Sequence, residues 1–480
     1  MRHARLIVAL LTAGLAYAGL SAAPWHGSVP VRRAAGLVAA TLVMWVSESA
    51  PLGVVALGVP VAATLAGQLA WRDAVAVWGD PLIFLNLGAF LLARALDKHG
   101  TFAWVARLAQ PGGAPRLVQR AGSAPIVMLV SGAISTVQNN TAVTAMLLPA
   151  VTQLARRART PAAVLMALSL GATFGGMATP IGTAPNFLGY SQMKRIDASV
   201  SFLSWMRVGV VAWIGTTVIG LAVLAAAGRM WRRSAAAGPA WIDPLVVTDV
   251  GPERGPARES ADEQRVGRRV AVAALVVAAL LWLVPGIVKG WTAEGHPWRI
   301  WVDRYLPESL VPIGICWTLF LIPTGGGRTV LDRHDFQALD WDTLFLFAGG
   351  LCLGRVLEVS GADQSLAHAV AAARVAPWAA TAALAGATVL LSEMTSNTAT
   401  AALMVPIAAP LAGSLGLTPG SAVMLVALCS SLGFALPVST PPNALIYSTR
   451  LVPLRFMVLC GVAVDLLAAA WVVMCVGWLA

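Results

Sequence analysis

The sequence SNTATAALMVP occupies residues 396–406, and a similar stretch, NNTAVTAMLLP, occupies residues 139–149. The two copies begin 257 residues apart, at positions 139 and 396. The same offset relates a second pair of motifs, PIGTAPN at 180–186 and PVSTPPN at 437–443. Because both blocks recur in the same order and at the same spacing, the chain is predicted to contain an internal repeat.

The residues around these motifs are too apolar for a water-soluble fold. Of 480 residues, 58% belong to the AVILMFWYC set and 11% are charged, and the mean hydropathy is +0.75. Soluble domains carry about 25% charged residues. A membrane-spanning helix uses about 20 mostly apolar residues, which leaves room for about 11 transmembrane helices. We therefore predict an all-α polytopic membrane protein.

The positively charged residues indicate orientation in the membrane. The formal net charge is +11, from 33 basic and 22 acidic residues. In a soluble protein this excess would suggest nucleic acid, but here the basic residues lie between apolar runs, where the positive-inside bias explains them. No nucleic-acid partner is predicted, and the N-terminus is expected to be cytoplasmic.

One long polar stretch, residues 229–269, divides the chain and is predicted to be a cytoplasmic linker. Residues 1–33 then form a helix without repeat counterpart and a loop, residues 34–228 the first repeat and residues 270–480 the second. If the N-terminus and the linker share a side, the first half crosses an even number of times. An odd number in the second half leaves the C-terminus outside and gives two inverted repeats.

The repeated motifs interrupt apolar helices with polar residues, proline and glycine. Backbone groups that are freed at membrane depth are tolerated where they line a cavity. An interrupted helix presents amides and the positive end of its dipole to an anion, while carbonyls and hydroxyls at the break can coordinate a cation such as sodium. The motifs therefore predict a site for an anion and for oxygen-ligated cations.

These motifs resemble the signature of the divalent anion/sodium symporter family, which transports dicarboxylates, citrate and sulfate. The residues that carry the resemblance are 396–401, 437–443, their weaker first-half copies and the ESAPL sequence at 48–52. The resemblance covers nearly the whole chain. It implies a homodimer in which a transport domain moves against a scaffold domain by an elevator motion. It also implies one re-entrant hairpin in each half, which we expect around residues 81–96 and 343–357.

The resemblance also implies ligands. The expected substrate ligands are Asn139, Asn140, Thr141 and Thr183 in the first half, and Ser396, Asn397, Thr398, Thr440 and Pro441 in the second. The expected ligands of one sodium ion are Ser135, Asn139, Asn140 and Gly182, and those of another are Ser392, Thr395, Asn397 and Ser439. The chain departs from the family pattern at Asn139, where a serine is usual, so substrate size or the first cation site is expected to differ. Ser439 replaces a small apolar residue, but that position is expected to act through its carbonyl.

The function expected from these features is secondary uptake of a small dianion, a C4-dicarboxylate such as succinate, coupled to sodium across the inner membrane. No Gly-rich phosphate loop is present in the sequence, so ATP is not the predicted energy source. Sulfate or citrate uptake, and sodium-independent carboxylate exchange, remain alternatives. A channel suits the duplicated motifs less well, and an intramembrane enzyme would need a nucleophile or metal cluster that the six histidines do not provide.

Glu48 and Glu393 are carboxylates near apolar segments, with either a functional or a structural role.

Overall fold

A computed structural model describes residues 2–22, 27–47, 49–101, 123–235 and 261–479. The helices of the first half are α1 (Arg2–Ala22), α2 (Val29–Ser47), α3 (Leu52–Leu65), α4 (Trp71–Ala76), α5 (Pro81–Lys98), α6 (Ser123–Ser135), α7 (Asn140–Arg157), α8 (Pro161–Gly176), α9 (Ala184–Ile196) and α10 (Phe202–Ala235), with a 3₁₀ turn at Val77–Gly79. Those of the second half are α11 (Ala261–Trp291), α12 (Pro297–Tyr305), α13 (Leu310–Leu319), α14 (Arg333–Gln337), α15 (Trp341–Ser360), α16 (Ala362–Ala372), α17 (Pro377–Met394), α18 (Asn397–Leu415), α19 (Pro419–Cys429), α20 (Pro441–Ser448) and α21 (Leu454–Leu479). Two short strands, β1 (Pro323–Gly325) and β2 (Arg328–Thr329), pair between α13 and α14.

Long apolar helices dominate, as the composition predicts. Within the described ranges, seven helices are long and apolar enough to cross a membrane, or up to eight if the pair that meets at a 41° bend between Gly79 and Pro81 is counted as one span. Five further apolar helices are only 10–17 residues long. The prediction of an all-helical polytopic membrane protein is confirmed, and the five shorter helices are too short to cross the apolar layer as single continuous helices.

The first helical hairpin consists of α6 and α7, with residues 136–139 as its tip. A methyl group added to Gly171 in α8 would lie 2.4 Å from the Met128 carbonyl oxygen, and one added to Gly175 would lie 2.0 Å from that of Gly132. Helix α8 therefore runs parallel to α6. A three-residue turn joins α7 to α8, so these two helices run antiparallel. Because α8 is parallel to α6, helices α6 and α7 are antiparallel to each other.

The second hairpin consists of α17 and α18. The Thr381 hydroxyl, near the start of α17, donates to the Leu415 carbonyl at the end of α18 at 3.0 Å. Gly416 likewise packs against Pro377. The two helices therefore run antiparallel, and the hairpin tip is at Thr395 and Ser396.

The expected position of the hairpins, around residues 81–96 and 343–357, is wrong. Both ranges lie inside uninterrupted helices, α5 and α15. The chain reverses at the Asn-Thr motifs. One helix ends at Ser135 or Met394 just before each motif, and Asn139 and Ser396 cap the next helices with their side chains. Short apolar runs are ambiguous by length alone, whereas the capping residues mark the breaks.

Matching breaks follow each hairpin, between α8 and α9 and between α19 and α20. The Asn186 side chain donates to the carbonyls of Gly176 and Thr179 at 2.8 and 2.9 Å. Asn443, at the equivalent position, donates to the carbonyls of Gly433 and Leu436, both at 3.1 Å. Since these carbonyls lie at helix breaks, each asparagine replaces hydrogen bonds that the helix no longer makes. The repeat found in the sequence is thus also a repeat of hydrogen bonding.

The polar linker predicted at 229–269 is shorter in the structure. Helix α10 continues to Ala235 and α11 begins at Ala261, so both ends of the polar stretch extend the flanking helices. Arginine is a good helix former, which allows the helices to continue into the polar region. Residues 236–260 and Glu48 lie outside the described residues.

Candidate anion and cation site

The two hairpin tips and the two helix breaks converge on one cavity of about 260 Å³. All nine expected substrate ligands line it: Asn139, Asn140, Thr141, Thr183, Ser396, Asn397, Thr398, Thr440 and Pro441. They come from both halves of the chain. The structure therefore brings together residues that the sequence separates by up to 302 positions, from 139 to 441.

Four of the helices that begin at this cavity follow the hairpin tips and the helix breaks, namely α7, α9, α18 and α20. None has an acidic residue in its first turn. The unpaired amides at a helix N-terminus carry about half a positive charge, and carboxylates are stabilised there. Among its described lining residues the cavity has no Lys, Arg or His, so positive potential for an anion comes from backbone.

The part of the cavity lining at the start of α15 contains two carboxylates, Asp340 and Asp342. Asp340 accepts hydrogen bonds from the amide and hydroxyl of Thr343, at 3.1 and 2.5 Å, and so caps that helix. Asp342 also lines the cavity. A methyl group on Gly53 would lie 2.6 Å from the Asp342 Oδ1, so α3 and α15 touch here. The carboxylates neutralise the α15 N-terminus, and an anion is directed to the other four helix ends.

Oxygen atoms cluster beside the first hairpin tip. The Ser135 hydroxyl lies 2.7 Å from the Asn140 Oδ1 and 3.2 Å from the Gln138 carbonyl oxygen. A methyl group on Gly176 would lie 2.6 Å from the Asn140 Oδ1 and 3.2 Å from the Gly182 carbonyl oxygen. A side chain at position 176 would therefore fill the space between them. Hydroxyl, amide and carbonyl oxygens are the ligands that hard cations prefer, so these residues fit a sodium ion.

The second hairpin tip repeats this arrangement. The Ser392 hydroxyl lies 2.8 Å from the Asn397 Oδ1 and 2.7 Å from the Ser430 carbonyl oxygen. The Asn397 Nδ2 contacts the Ser431 carbonyl at 3.4 Å. Thr395, at the end of α17, turns its hydroxyl toward the second helix of the hairpin. The Ser392–Asn397 pair has the same geometry as the Ser135–Asn140 pair, and this set also fits an oxygen-ligated cation.

Two expected cation ligands have other hydrogen-bond partners. The Asn139 Oδ1 accepts from the Thr141 amide at 2.8 Å and thereby caps α7. The Ser439 hydroxyl donates to the carboxylate of Glu393 and lies 3.2 Å from the Glu393 carbonyl oxygen. Neither side chain joins the serine–asparagine pair in its own half.

Sequence reasoning missed Thr173 and Asp465. Thr173 lines the cavity, is fully buried, and its hydroxyl has no hydrogen-bond partner among the described residues. It lies within an apolar helix, and only the equivalence with Ser430, 257 residues later, could have indicated it. Asp465 lies inside the last membrane helix, where an ionisable residue is itself a signal of function.

Comparisons with known proteins identify the family and relatives of this chain. A model of a citrate transporter family matches residues 42–419. The sodium-dependent dicarboxylate transporter SdcS of Staphylococcus aureus strain USA300 is 26% identical over 458 residues, which cover 90% of this chain and 82% of the relative, and the protein of strain RF122 matches equally. The crystal structure of the YdaH transporter of Alcanivorax borkumensis is 15% identical, with a TM-score of 0.47, and the match covers 86% of this chain and 87% of that one.

Proposed function

The chain belongs to the citrate transporter family, and from that premise we propose that it imports a small dianion, a C4-dicarboxylate such as succinate, together with sodium. Membership makes it a multi-pass secondary transporter of the divalent anion/sodium symporter type rather than an enzyme. The observation that carries the proposal is the meeting of four helix N-termini at one cavity without a basic side chain in its described lining. A relative named as a sodium-dependent dicarboxylate transporter supports both substrate and ion.

In this proposal the helix ends hold the two carboxylates of the substrate. Thr141 and Thr398 follow the two hairpin tips, and their hydroxyls can donate to carboxylate oxygens. Thr183 and Thr440 stand before the other two helices in the same way. A dianion that bridges the two halves satisfies all four ends at once, which selects for two carboxylates at a fixed separation.

The sodium ions would be held by Ser135, Asn140 and Gly182 in one half and by Ser392, Thr395 and Asn397 in the other. Asn139 and Ser439 contribute at the edges of these clusters, Ser439 through its carbonyl. The described lining of the cavity contains no basic side chain, and bound sodium would supply the positive charge instead. Asn140 and Asn397 belong to both the cation clusters and the cavity lining, so cation and anion sites share residues.

We propose that the two hairpins and the two broken helices move as one body, in an elevator motion, against the remaining helices. All four contribute to one cavity and pack against one another. The proposal includes two inverted repeats, a homodimer in the inner membrane, a cytoplasmic N-terminus and linker, and an outside C-terminus.

The test is uptake of labelled succinate into proteoliposomes with an inward sodium gradient, compared with the same vesicles in choline. Uptake that requires the sodium gradient is the expected result, and unlabelled citrate and sulfate measure substrate preference by competition. Sodium-independent uptake that needs a carboxylate inside the vesicle would identify an exchanger and contradict the symport proposal.

A further inference from the structure

The carboxylates of Glu393 and Asp465 meet beside the second hairpin, and neither residue lines the cavity. The Glu393 Oε1 accepts from the Ala435 amide at 2.7 Å, and the Asp465 Oδ2 accepts from the Phe434 amide at 3.2 Å. The backbone amides of two consecutive residues, Phe434 and Ala435, thus bind the two side chains. The carboxyl groups of Glu393 and Asp465 also interact directly with each other. Glu393 comes from α17 and Asp465 from α21, so the pair joins three parts of the second half.

A glycine places Asp465 there. A methyl group on Gly461 would lie 2.3 Å from the Ala435 Cα, so the backbone of α21 packs directly on residues 434–435. Asp465 follows one helical turn later, on the same face. In the first half, Gly209 packs in the same way on the Met177 and Ala178 carbonyls, but the residue one turn later is Trp213.

The pair is thus specific to the second half. The position equivalent to Glu393, 257 residues earlier, is Thr136. Neither carboxylate has an acidic counterpart in the first half. The common fold of the two repeats does not require the pair, which points to a role that only the second half performs.

Asp465 has no opposite charge beside it. Three acidic side chains are buried in the described part of the chain, and the other two have ion pairs: Glu308 with Lys194 at 3.0 Å, and Asp335 with Lys98 at 2.7 Å. Asp465 is 4% exposed, and its Oδ1 has no hydrogen-bond partner among the residues that the structure describes. A buried ionised carboxylate without a positive partner is strongly destabilising, so ionisation of Asp465 would require a positive charge at this site.

We propose that Glu393 and Asp465 bind a sodium ion in addition to the two at the hairpin tips, a proposal that rests on sodium coupling as the function. The Asp465 Oδ1, the Glu393 carboxylate and the adjacent Ser439 hydroxyl form an oxygen-only donor set, which suits a hard cation. A transition metal would need a larger set, and no group of three or more His, Cys, Asp and Glu residues occurs in the described ranges. Ser439 connects this site to the second sodium cluster, so occupancy here would add one charge to each transport cycle.

The experiment is equilibrium binding of ²²Na⁺ to the purified full-length chain in detergent, without any dicarboxylate. Asp465→Asn is expected to bind one sodium ion fewer per chain than the wild type. Glu393→Gln is expected to lose the same ion, and it serves as the second variant if Asp465→Asn does not fold. The matched control is Asp73→Asn, an exposed carboxylate on α4, which should bind as many ions as the wild type.

Gel filtration of every variant confirms that it is folded before binding is counted. Equal sodium binding by the wild type and both folded variants would overturn the proposal. A variant with unchanged sodium binding and altered pH dependence would also overturn it, since a proton would then supply the missing charge. A chain that loses one ion in both variants but carries no succinate would contradict the proposed substrate while supporting this site.

Discussion

At the scale of single residues, the two asparagines at the hairpin tips connect the proposed cation sites with the proposed substrate site. The side-chain oxygens of Asn140 and Asn397 each lie within 2.8 Å of a serine hydroxyl, and both residues line the cavity. Each asparagine is also the first residue of a helix. A cation at either tip would therefore fix the position of the helix end that meets the anion.

Asn397→Ala should reduce sodium-driven succinate uptake to background while the chain remains folded. The variant removes the amide oxygen opposite Ser392, but Ser396 still caps α18 through the Ala399 amide at 3.1 Å. The measurement is initial uptake in proteoliposomes, with gel filtration as the test of folding. Gln364→Ala, which removes an exposed amide on α16, is the control and should keep wild-type uptake. Full activity of Asn397→Ala would exclude the residue from the site.

At the scale of helices, the hairpins depend on glycines that allow backbones to touch. Helix α8 passes α6 so closely that a Cβ on Gly175 would lie 2.0 Å from the Gly132 carbonyl oxygen. Small residues at such crossings are typical of membrane helices, where close packing rather than water exclusion drives association. The first cation cluster lies at the end of these helices, so their packing sets its geometry.

Gly175→Ala should destabilise the protein by about 1–3 kcal/mol, the usual cost of an overpacked site. The backbone carbonyl of Gly132 cannot move aside as a flexible side chain would. Thermal unfolding in detergent, followed by tryptophan fluorescence, measures the loss.

Gly386→Ala is the control for that change. Gly386 lies in α17, and nothing is within 4 Å of a methyl group there. Alanine is favoured over glycine in a helix by about 1 kcal/mol, so the control should be neutral or stabilising. An equal loss of stability in both variants would show that the α6–α8 contact does not determine the effect.

Sequence reasoning was most successful where two motifs repeat at one spacing. The Asn-Thr and Pro-Asn motifs predicted the helix breaks, because capping residues and prolines act locally. The family resemblance that these motifs carry implied the nine residues that meet at the cavity. It failed for the hairpin positions, since the tip at residues 136–139 carries no Gly or Pro. It also missed Asp465, because one carboxylate barely alters the mean hydropathy of a 25-residue span. Contacts between distant segments, such as Glu393 with residue 435, have no local signal.

At the scale of the whole molecule, buried ion pairs join the two halves outside the cavity. Asp335 accepts from Arg94 at 3.0 Å and from Lys98 at 2.7 Å, which ties the α14 helix to α5. Asp332 lies beside it and accepts from Lys98 at 3.0 Å. Glu308 binds Lys194 in the same manner. The two repeats therefore share polar contacts that are independent of the ligand site.

The α5–α14 junction should lose stability in acid. Burial alone would raise the pKa of Asp332, but hydrogen bonds from Lys98 and the His334 amide lower it to about 2. Because this pKa lies below the ordinary value of 3.8, the stabilisation is complete above about pH 4 and is lost as the pH falls toward 2. Melting temperatures measured across this range should therefore fall, and Asp332→Asn should make the decline shallower. An unchanged slope in Asp332→Asn would show that other carboxylates cause the acid sensitivity.

Glu308 connects the two halves through three first-half hydrogen-bond donors. Its carboxylate accepts from the Tyr190 hydroxyl, from the Lys194 ammonium at 3.0 Å and from the Phe202 amide at 3.0 Å, and its carbonyl oxygen accepts from Trp282 at 3.0 Å. The side chain is 3% exposed, so Glu308→Ala leaves three donors without an acceptor. The loss of one partner from a buried pair costs about 3–5 kcal/mol, and we expect a destabilisation of that size in thermal unfolding.

Glu294→Ala supplies the matched control, because that glutamate is 92% exposed and lies 3.7 Å from Arg299. Exposed pairs contribute about 0–1 kcal/mol, so this variant should melt close to the wild type. Glu308→Gln keeps one acceptor oxygen but removes the other and the charge opposite Lys194, and it should fall between the two. A Glu308→Ala variant as stable as Glu294→Ala would mean that water or a shift of α9 replaces the lost contacts, and the junction would then not hold the halves together.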